Sequence, residues 1–306
     1  MSKRSILHML DPMQNNSPFD INMALDAGFD VLMPYNNVKL DSVRGLTQDA
    51  VFSRGPSGVK RTGIFIGGRD LGLAMDMLDA SKQAMMPPFE VSVFADPSGA
   101  FTTAAALVTC VEKELKEKHG KELKDCNAIV FGGTGPVGIA TGVLASLAGA
   151  DTTLTDHLSI DTALDISKEY NRRFGSNLKG TLAGSEADKA RLVANADIIF
   201  CTAKAGVQVL SADVLKEAMR LKVAGDINAV APSGIEGIKN DDFGTPLLHA
   251  INAKGAVGIG ALAIGNIKYQ LQHELLKSML DGAPLYIDFR YAFDKAREMK
   301  FAQGSK

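Results

Sequence analysis

The sequence predicts an α/β protein of two domains built on parallel sheets, and three observations carry that expectation. The run Asn127-Ala-Ile-Val-Phe-Gly-Gly-Thr-Gly-Pro-Val-Gly138 sets an apolar strand before Gly133, Gly135 and Gly138, the spacing G-x-G-x-x-G. A helix pattern follows over 136–147, and a second strand over 151–156 ends in Asp156. Elsewhere short apolar runs alternate with helical patterns, the order of a parallel sheet. Strand, glycine turn, helix, strand and acid in that order make a Rossmann-like, nucleotide-binding unit in mid-chain.

In chain order, 5–10 reads as a strand. Ser17-Pro-Phe-Asp20 offers a cap for a helix over 21–27. A short strand over 31–33 ends at Pro34-Tyr35. Residues 61–66 read as a strand, Gly67-Gly68-Arg69-Asp70 as a turn, and 71–85 as a helix. A strand over 91–95 meets the turn Asp96-Pro97-Ser98-Gly99, and a helix runs over 102–118. The charged stretch 118–124 is the expected hinge. The cofactor domain then spans 123–265, with its fourth and fifth strands within 196–203 and 221–226. The apolar, glycine-rich run 255–265 reads as a strand and a close-packed helix start. A helix over 266–280 returns the chain to the first domain, so 1–122 is completed by 266–306; the tail 301–306 is expected to fray.

Each glycine of the motif has an expected task. Gly133 makes the tight turn, Gly135 lets a pyrophosphate approach the backbone, and Gly138 packs the helix on the strand. Pro136 suits the first helical turn, and the N–H groups there, around Thr134, Val137 and Gly138, hold phosphates. Asp156 lies 18 residues beyond Gly138. A carboxylate there accepts ribose hydroxyls and repels a 2′-phosphate, which favours NAD over NADP. His157 reaches the adenine ribose or lies on the surface. Lys168, Arg172 and Arg173 reach a phosphate or form a solvated helix face.

A chain of 306 residues with 46% hydrophobic content and net charge −2 is an ordinary globular composition. No basic patch points to nucleic acid or an anionic membrane. Cys110, Cys126 and Cys201 are far apart, and the five histidines form no ligand cluster, so neither disulfides nor a metal site are expected. A reducing cytoplasm fits. The apolar run after Lys3 and Arg4 is too short for a secretion signal. The uncharged stretch 127–150 reads as strand, turn and helix, not as a membrane span.

Several motifs are more specific: SPFD (17–20), FIGG-D (65–70), D-SGAFTTAAA (96–106), FGGTGPVG (131–138), D-NAVAPSGIEGI (226–238) and GIGALAIGNIKYQ (258–270). Together they resemble the bacterial methylene-tetrahydromethanopterin dehydrogenases of methylotrophs, themselves distantly similar to bifunctional methylenetetrahydrofolate dehydrogenases. The resemblance covers essentially the whole chain. It implies oxidation of a methylene group on a reduced pterin to methenyl, in formaldehyde oxidation. The hydride goes to NADP or, in one branch, to NAD or NADP. Strictly NADP-dependent members carry basic residues where Asp156-His157 stands, so the dual-cofactor branch is implied. The resemblance further implies two α/β domains with the active cleft between them, and a homo-oligomer.

It also implies a site. Lys268 matches a lysine of the terminal motif and bonds the pterin or holds a water; the alternative is a surface lysine. Asp20 binds the pterin's amino and ring N–H groups or caps a helix. Asp96, Ser98, Thr102 and Thr103 bind the pterin or its tail, unless Asp96 or Ser98 only caps the helix. Tyr35 stacks on a ring or packs at the surface. Asn228 bonds the nicotinamide carboxamide or serves a turn, in a loop shaped by Pro232 and Gly234. Ala203, Lys204 and Gly206 let the cofactor pass the fourth strand; Gly258 and Gly260 let the nicotinamide approach. The same chemistry on methylene-tetrahydrofolate, and a non-catalytic NAD(P)-binding sensor, are the competing readings.

Overall fold

The computed structural model describes residues 3–301, so of the tail expected to fray, 302–306 lie outside the described residues. The chain runs β1 (Ile6–Leu10), α1 (Pro18–Asp26), β2 (Val31–Tyr35), α2 (Leu40–Phe52), α3 (Pro56–Val59), β3 (Thr62–Ile66), α4 (Leu71–Gln83), β4 (Ser92–Ala95) and α5 (Ala100–His119). It continues β5 (Asn127–Phe131), α6 (Pro136–Leu147), β6 (Asp151–Asp156), α7 (Ile160–Phe174), β7 (Lys179–Leu182), α8 (Glu186–Asn195), β8 (Ile198–Cys201), α9 (Ala212–Lys216) and β9 (Val223–Asp226). The last elements are β10 (Phe243–Pro246), β11 (Val257–Ile259), α10 (Ala261–Ser278), β12 (Tyr286–Ile287) and α11 (Phe289–Phe301).

Two compact units result. One holds the chain up to Thr102 together with Tyr269–Lys295; the other holds Thr103–Lys268 and the chain from Ala296. The divisions fall inside α5, α10 and α11. The stretch 118–124, read from its charge as a hinge, is the end of α5 and part of a 3-10 turn (Leu123–Asp125) whose Glu122 and Asp125 cap each other.

In the first unit the strands lie in the order β12-β4-β3-β1-β2, all parallel. β3 and β4 are buried along their whole length, which is why they read as continuous apolar runs. Phe65 and Phe94 meet edge-to-face at 5.4 Å in this core, and Phe101 meets Phe289 at 5.1 Å. α1 begins at Pro18, earlier than its apolar pattern suggests, because Ser17 caps it and proline fits its first turn.

In the second unit the order is β10-β11-β9-β8-β5-β6-β7, parallel apart from the β10–β11 pair. Leaving out β10, this is the doubly wound order 3-2-1-4-5-6, with the reversal between β5 and β8. α6 presses on β6: a Cβ on Gly142 would collide with the Leu154 side chain. α7 is capped by Ser159 and stops at Gly175, whose φ of +69° is left-handed. The core gathers Ile129, Phe131, Ile199 and Leu215 around the sheet. Among the described residues, no helix is long and apolar enough to cross a membrane.

Candidate active site

In the second unit, the turns after β5, β6, β8 and β9 leave the carboxyl ends of adjacent strands, where open α/β sheets bind ligands. The first turn corrects one expectation. The left-handed residue is Gly132, φ +71°, and not Gly133. A Cβ on Gly132 would stand 2.7 Å from the Ala203 Cα, so the β5 and β8 turns touch through glycine and alanine. Gly133 is needed for another reason, because its Cβ would lie 2.9 Å from the Leu154 Cα. Gly138 faces the Gly132 carbonyl too closely for any side chain.

Gly135 differs from these. It is the N-cap of α6, with an extended backbone at φ −81° that any residue can adopt. Its Cβ would meet only the Gly132 carbonyl oxygen, at 3.6 Å. The chain itself therefore does not demand glycine here, and the open cradle fits a group arriving from outside. Pro136, as expected, opens the helix. Val137 and Gly138 carry N–H groups in the first turn, ahead of the i−4 ladder, where the helix dipole favours an anion.

Asp156 closes β6 and is half-buried. Its Oδ2 accepts from the Thr134 hydroxyl at 2.7 Å; its Oδ1 accepts from the N–H groups of Leu158 at 2.8 Å and Ser159 at 2.9 Å. Burial alone would raise its pKa, but these three donors outweigh it and hold the carboxyl below its ordinary value. His157 beside it is exposed. Lys168 sits eight residues into α7, roughly 12 Å along the axis from its start, and Arg172 and Arg173 lie further on, at its last turn. That placement agrees with a solvated helix face.

The turns after β8 and β9 are tied together. Gly206, φ +77°, donates its N–H to the Asn228 Oδ1 at 3.0 Å. Val230 donates to the same oxygen at 3.0 Å, and the Asn228 Nδ2 donates to the Pro232 carbonyl at 2.8 Å. Among the described residues, one Nδ2 hydrogen is left over. Beneath Asn228 lies Asp226, which accepts from the N–H groups of Asn228 at 3.0 Å and Ile235 at 2.9 Å. Burial raises the Asp226 pKa, against the pull of the N–H groups of Asn228, Ile235 and Gly234. Lys204 is exposed on the same β8 turn. At Gly258 the room a side chain would fill is taken by Ile238, 2.9 Å away, and at Gly260 by the backbone of Lys239 and Asn240. Both glycines serve the chain's own packing.

In the first unit, β4, β3 and β1 are neighbours, and their carboxyl ends bring Asp96–Ser98, Gly67–Gly68 and Asp11 to one edge. Asp96 is fully buried. Its Oδ1 accepts from the N–H groups of Phe101 at 2.9 Å and Thr102 at 3.2 Å, and its Oδ2 from the Thr102 hydroxyl at 2.6 Å. Those bonds cap the start of α5 and draw it back to Ala100. Ser98 stands at φ +52° and donates to the Gly68 carbonyl at 2.9 Å. Thr103 is half-buried on α5. The Tyr35 hydroxyl bonds the His8 Nδ1 at 3.1 Å, and burial, then the Arg54 charge, lowers the His8 pKa. Asp20 is buried and accepts from the Gln272 Nε2 at 2.7 Å; the cap of α1 is Ser17. Lys268 is half-buried on α10.

Asp11 was not singled out by the sequence. It is buried, accepts from the Met13 N–H at 2.7 Å, and is pressed so close to Gly67 that a Cβ there would lie 2.5 Å from its Oδ2. Burial raises its pKa against the Met13 and Gly68 N–H groups and the Arg69 charge. The available signal was its position directly after a strand, with a glycine pair at the end of another. Among the described residues, no three His, Cys, Asp or Glu side chains converge as metal ligands.

A doubly wound sheet, a glycine cradle at its switch point and an acid ending the next strand define a nucleotide-dependent dehydrogenase. The chain is 46% identical over 298 residues to the NAD(P)-dependent methylenetetrahydromethanopterin dehydrogenase of Methylorubrum extorquens, covering 97% of this chain and 99% of that protein. It belongs to the methylene-tetrahydromethanopterin dehydrogenase family. Residues 18–98 match the family model for the N-terminal part of methylene-tetrahydromethanopterin dehydrogenase. A second Methylorubrum extorquens relative, bifunctional protein MdtA, is 30% identical over 98% of this chain and all of its own length. The malic enzyme of Entamoeba histolytica shares the fold, with a TM-score of 0.55 at 12% identity, over 99% of this chain and 77% of that one.

Proposed function

We propose that this chain oxidises methylene-tetrahydromethanopterin to the methenyl form with NAD or NADP. The observation that carries the reading is Gly135, the one glycine of the cradle that the fold does not require. The 46% identity to a protein named for this reaction supports the substrate.

The donor carbon lies between two nitrogens that stabilise the cation left behind, so no proton need be removed in the hydride step. The nicotinamide, when bound, accepts the hydride. The protein's task is alignment and exclusion of water. Val137 and Gly138 hold the pyrophosphate by their N–H groups, and Asp156 takes a ribose hydroxyl. Asn228 offers its remaining Nδ2 hydrogen to the carboxamide. In the first unit, Asp20, Tyr35, Ser98 and, just beyond its boundary, Thr103 recognise the pterin. Lys268 bonds the pterin or holds a water. Asp96 and Thr102 spend polar atoms on each other, so their part is to shape the turn that presents Ser98.

Three buried, unpaired cysteines suit a reducing cytoplasm, and family resemblance supports a homo-oligomer. The test is to mix the protein with methylene-tetrahydromethanopterin and follow reduced nicotinamide with NAD and NADP separately, beside methylene-tetrahydrofolate. Turnover with the methanopterin form is expected. Turnover with folate alone would move the substrate, and silence with both in nucleotide-binding protein would favour a sensor.

A further inference from the structure

The acid that ends β6 is already engaged before any ligand arrives. A carboxylate offers about four acceptor positions. Leu158 and Ser159 N–H groups take both positions of the Asp156 Oδ1, and the Thr134 hydroxyl takes one of Oδ2. One position is left. A ribose with free 2′ and 3′ hydroxyls needs two for bidentate capture. Thr134 is therefore a competitor of the ribose, placed by the glycine cradle itself.

We propose that Thr134 is a positioning residue for nucleotide choice: by holding the Asp156 Oδ2 it denies that carboxylate a second ribose hydroxyl, narrowing the gap between NAD and NADP. The inference rests on the nucleotide site read above. The same bond spreads the negative charge of Asp156 onto a neutral donor, which softens its repulsion of a 2′-phosphate. The lowered carboxyl pKa fits a charge held by donors. The two backbone donors on Oδ1 keep the carboxylate in place without Thr134, so removing the hydroxyl frees an acceptor without releasing the side chain.

The experiment measures Kd for NAD and NADP separately, with no pterin present. Thr134→Val keeps the branched shape and removes the hydroxyl; Thr134→Ala removes it without the branch; Thr134→Ser restores it. Val and Ala should each tighten NAD relative to NADP by about tenfold, the scale of one charge-assisted hydrogen bond, and Ser should match the wild type. In an Asp156→Ala background, Thr134→Val should leave the ratio unchanged, because the effect runs through the carboxylate. An unchanged ratio in the single variants, or equal weakening of both nucleotides, would overturn the proposal. Wild-type protein that binds neither nucleotide would instead overturn the site on which it rests, and the proposal with it.

Discussion

Replacing Gly135 by valine separates what the glycine turn does for the fold from what it does for a ligand. Gly135 is extended at φ −81°, and an added Cβ has a single neighbour at 3.6 Å. Losing glycine at an N-cap costs about 1 kcal/mol at most. The stiffer unfolded chain returns roughly 0.4–1 kcal/mol. The thermal midpoint should therefore hold within a few degrees. Binding should not. If the pyrophosphate occupies this open cradle, a side chain there would displace it, and losing two charge-assisted hydrogen bonds from the Val137 and Gly138 N–H groups costs about 3–6 kcal/mol. That is a fall in nucleotide affinity of roughly a hundredfold to ten-thousandfold. Gly138→Ala is the counterpart: its Cβ meets the Gly132 carbonyl, so overpacking should cost about 1–3 kcal/mol or more of stability. Calorimetric Kd values and melting curves for the two variants decide the matter. Unchanged nucleotide affinity in Gly135→Val, or wild-type melting in Gly138→Ala, would refute the division of labour.

Three other outcomes are expected. Asp156→Ala should raise the preference for NADP over NAD by about tenfold, by removing the charge that faces a 2′-phosphate; a fall in that ratio, read from kcat/KM, would defeat the repulsion argument. Lys268→Ala should lower kcat while nucleotide Kd stays put; wild-type turnover would take Lys268 out of the site. Among the described residues, the Oε2 of Glu114, buried on α5, has no hydrogen-bond partner, and burial raises its pKa above the usual value. A raised carboxyl pKa means stability is fullest below the unfolded value of about 4.3 and is lost as pH rises through the folded one. Glu114→Gln should therefore gain stability over the wild type as pH climbs through that window, measured by denaturant unfolding, and a constant difference would contradict this.

The β5–α6–β6 unit was legible because everything it needs is contiguous: an apolar strand, a glycine turn, a proline-led helix and a strand ending in acid. What the sequence hid was set by partners distant in the chain. β12 has two residues and exists only because Tyr286 and Ile287 pair with Val93 and Phe94. β10 ends in Pro246 on a sheet edge, and its antiparallel register carries an irregularity between Phe243 and Thr245. α2 buries Val43, Thr47, Ala50 and Val51, a face interrupted by polar residues and Gly45 that gave little apolar signal. The glycine-rich run 255–265 does read as a strand and a helix start, and it holds β11 and the first turn of α10 from Ala261; only the regular helix pattern begins later, at 266. Within the site, adjacent glycines at 132 and 133 cannot be told apart by spacing, and only φ assigns the turn to Gly132. Asp11 matters through Gly67, which is far away in sequence and adjacent across paired strands. The engagement of Asp156 by Thr134 was equally invisible, because spacing does not show which way a hydroxyl is turned.

The most direct test follows the hydride itself. Methylene-tetrahydromethanopterin carrying two deuterium atoms on the methylene carbon is mixed with the protein and NAD or NADP, and the reduced nucleotide is isolated for mass spectrometry. The account predicts one deuterium on the reduced nicotinamide and slowed single-turnover reduction. Reduced nucleotide without deuterium, or no reduction by protein that binds both ligands, would contradict direct transfer from the pterin to the nicotinamide.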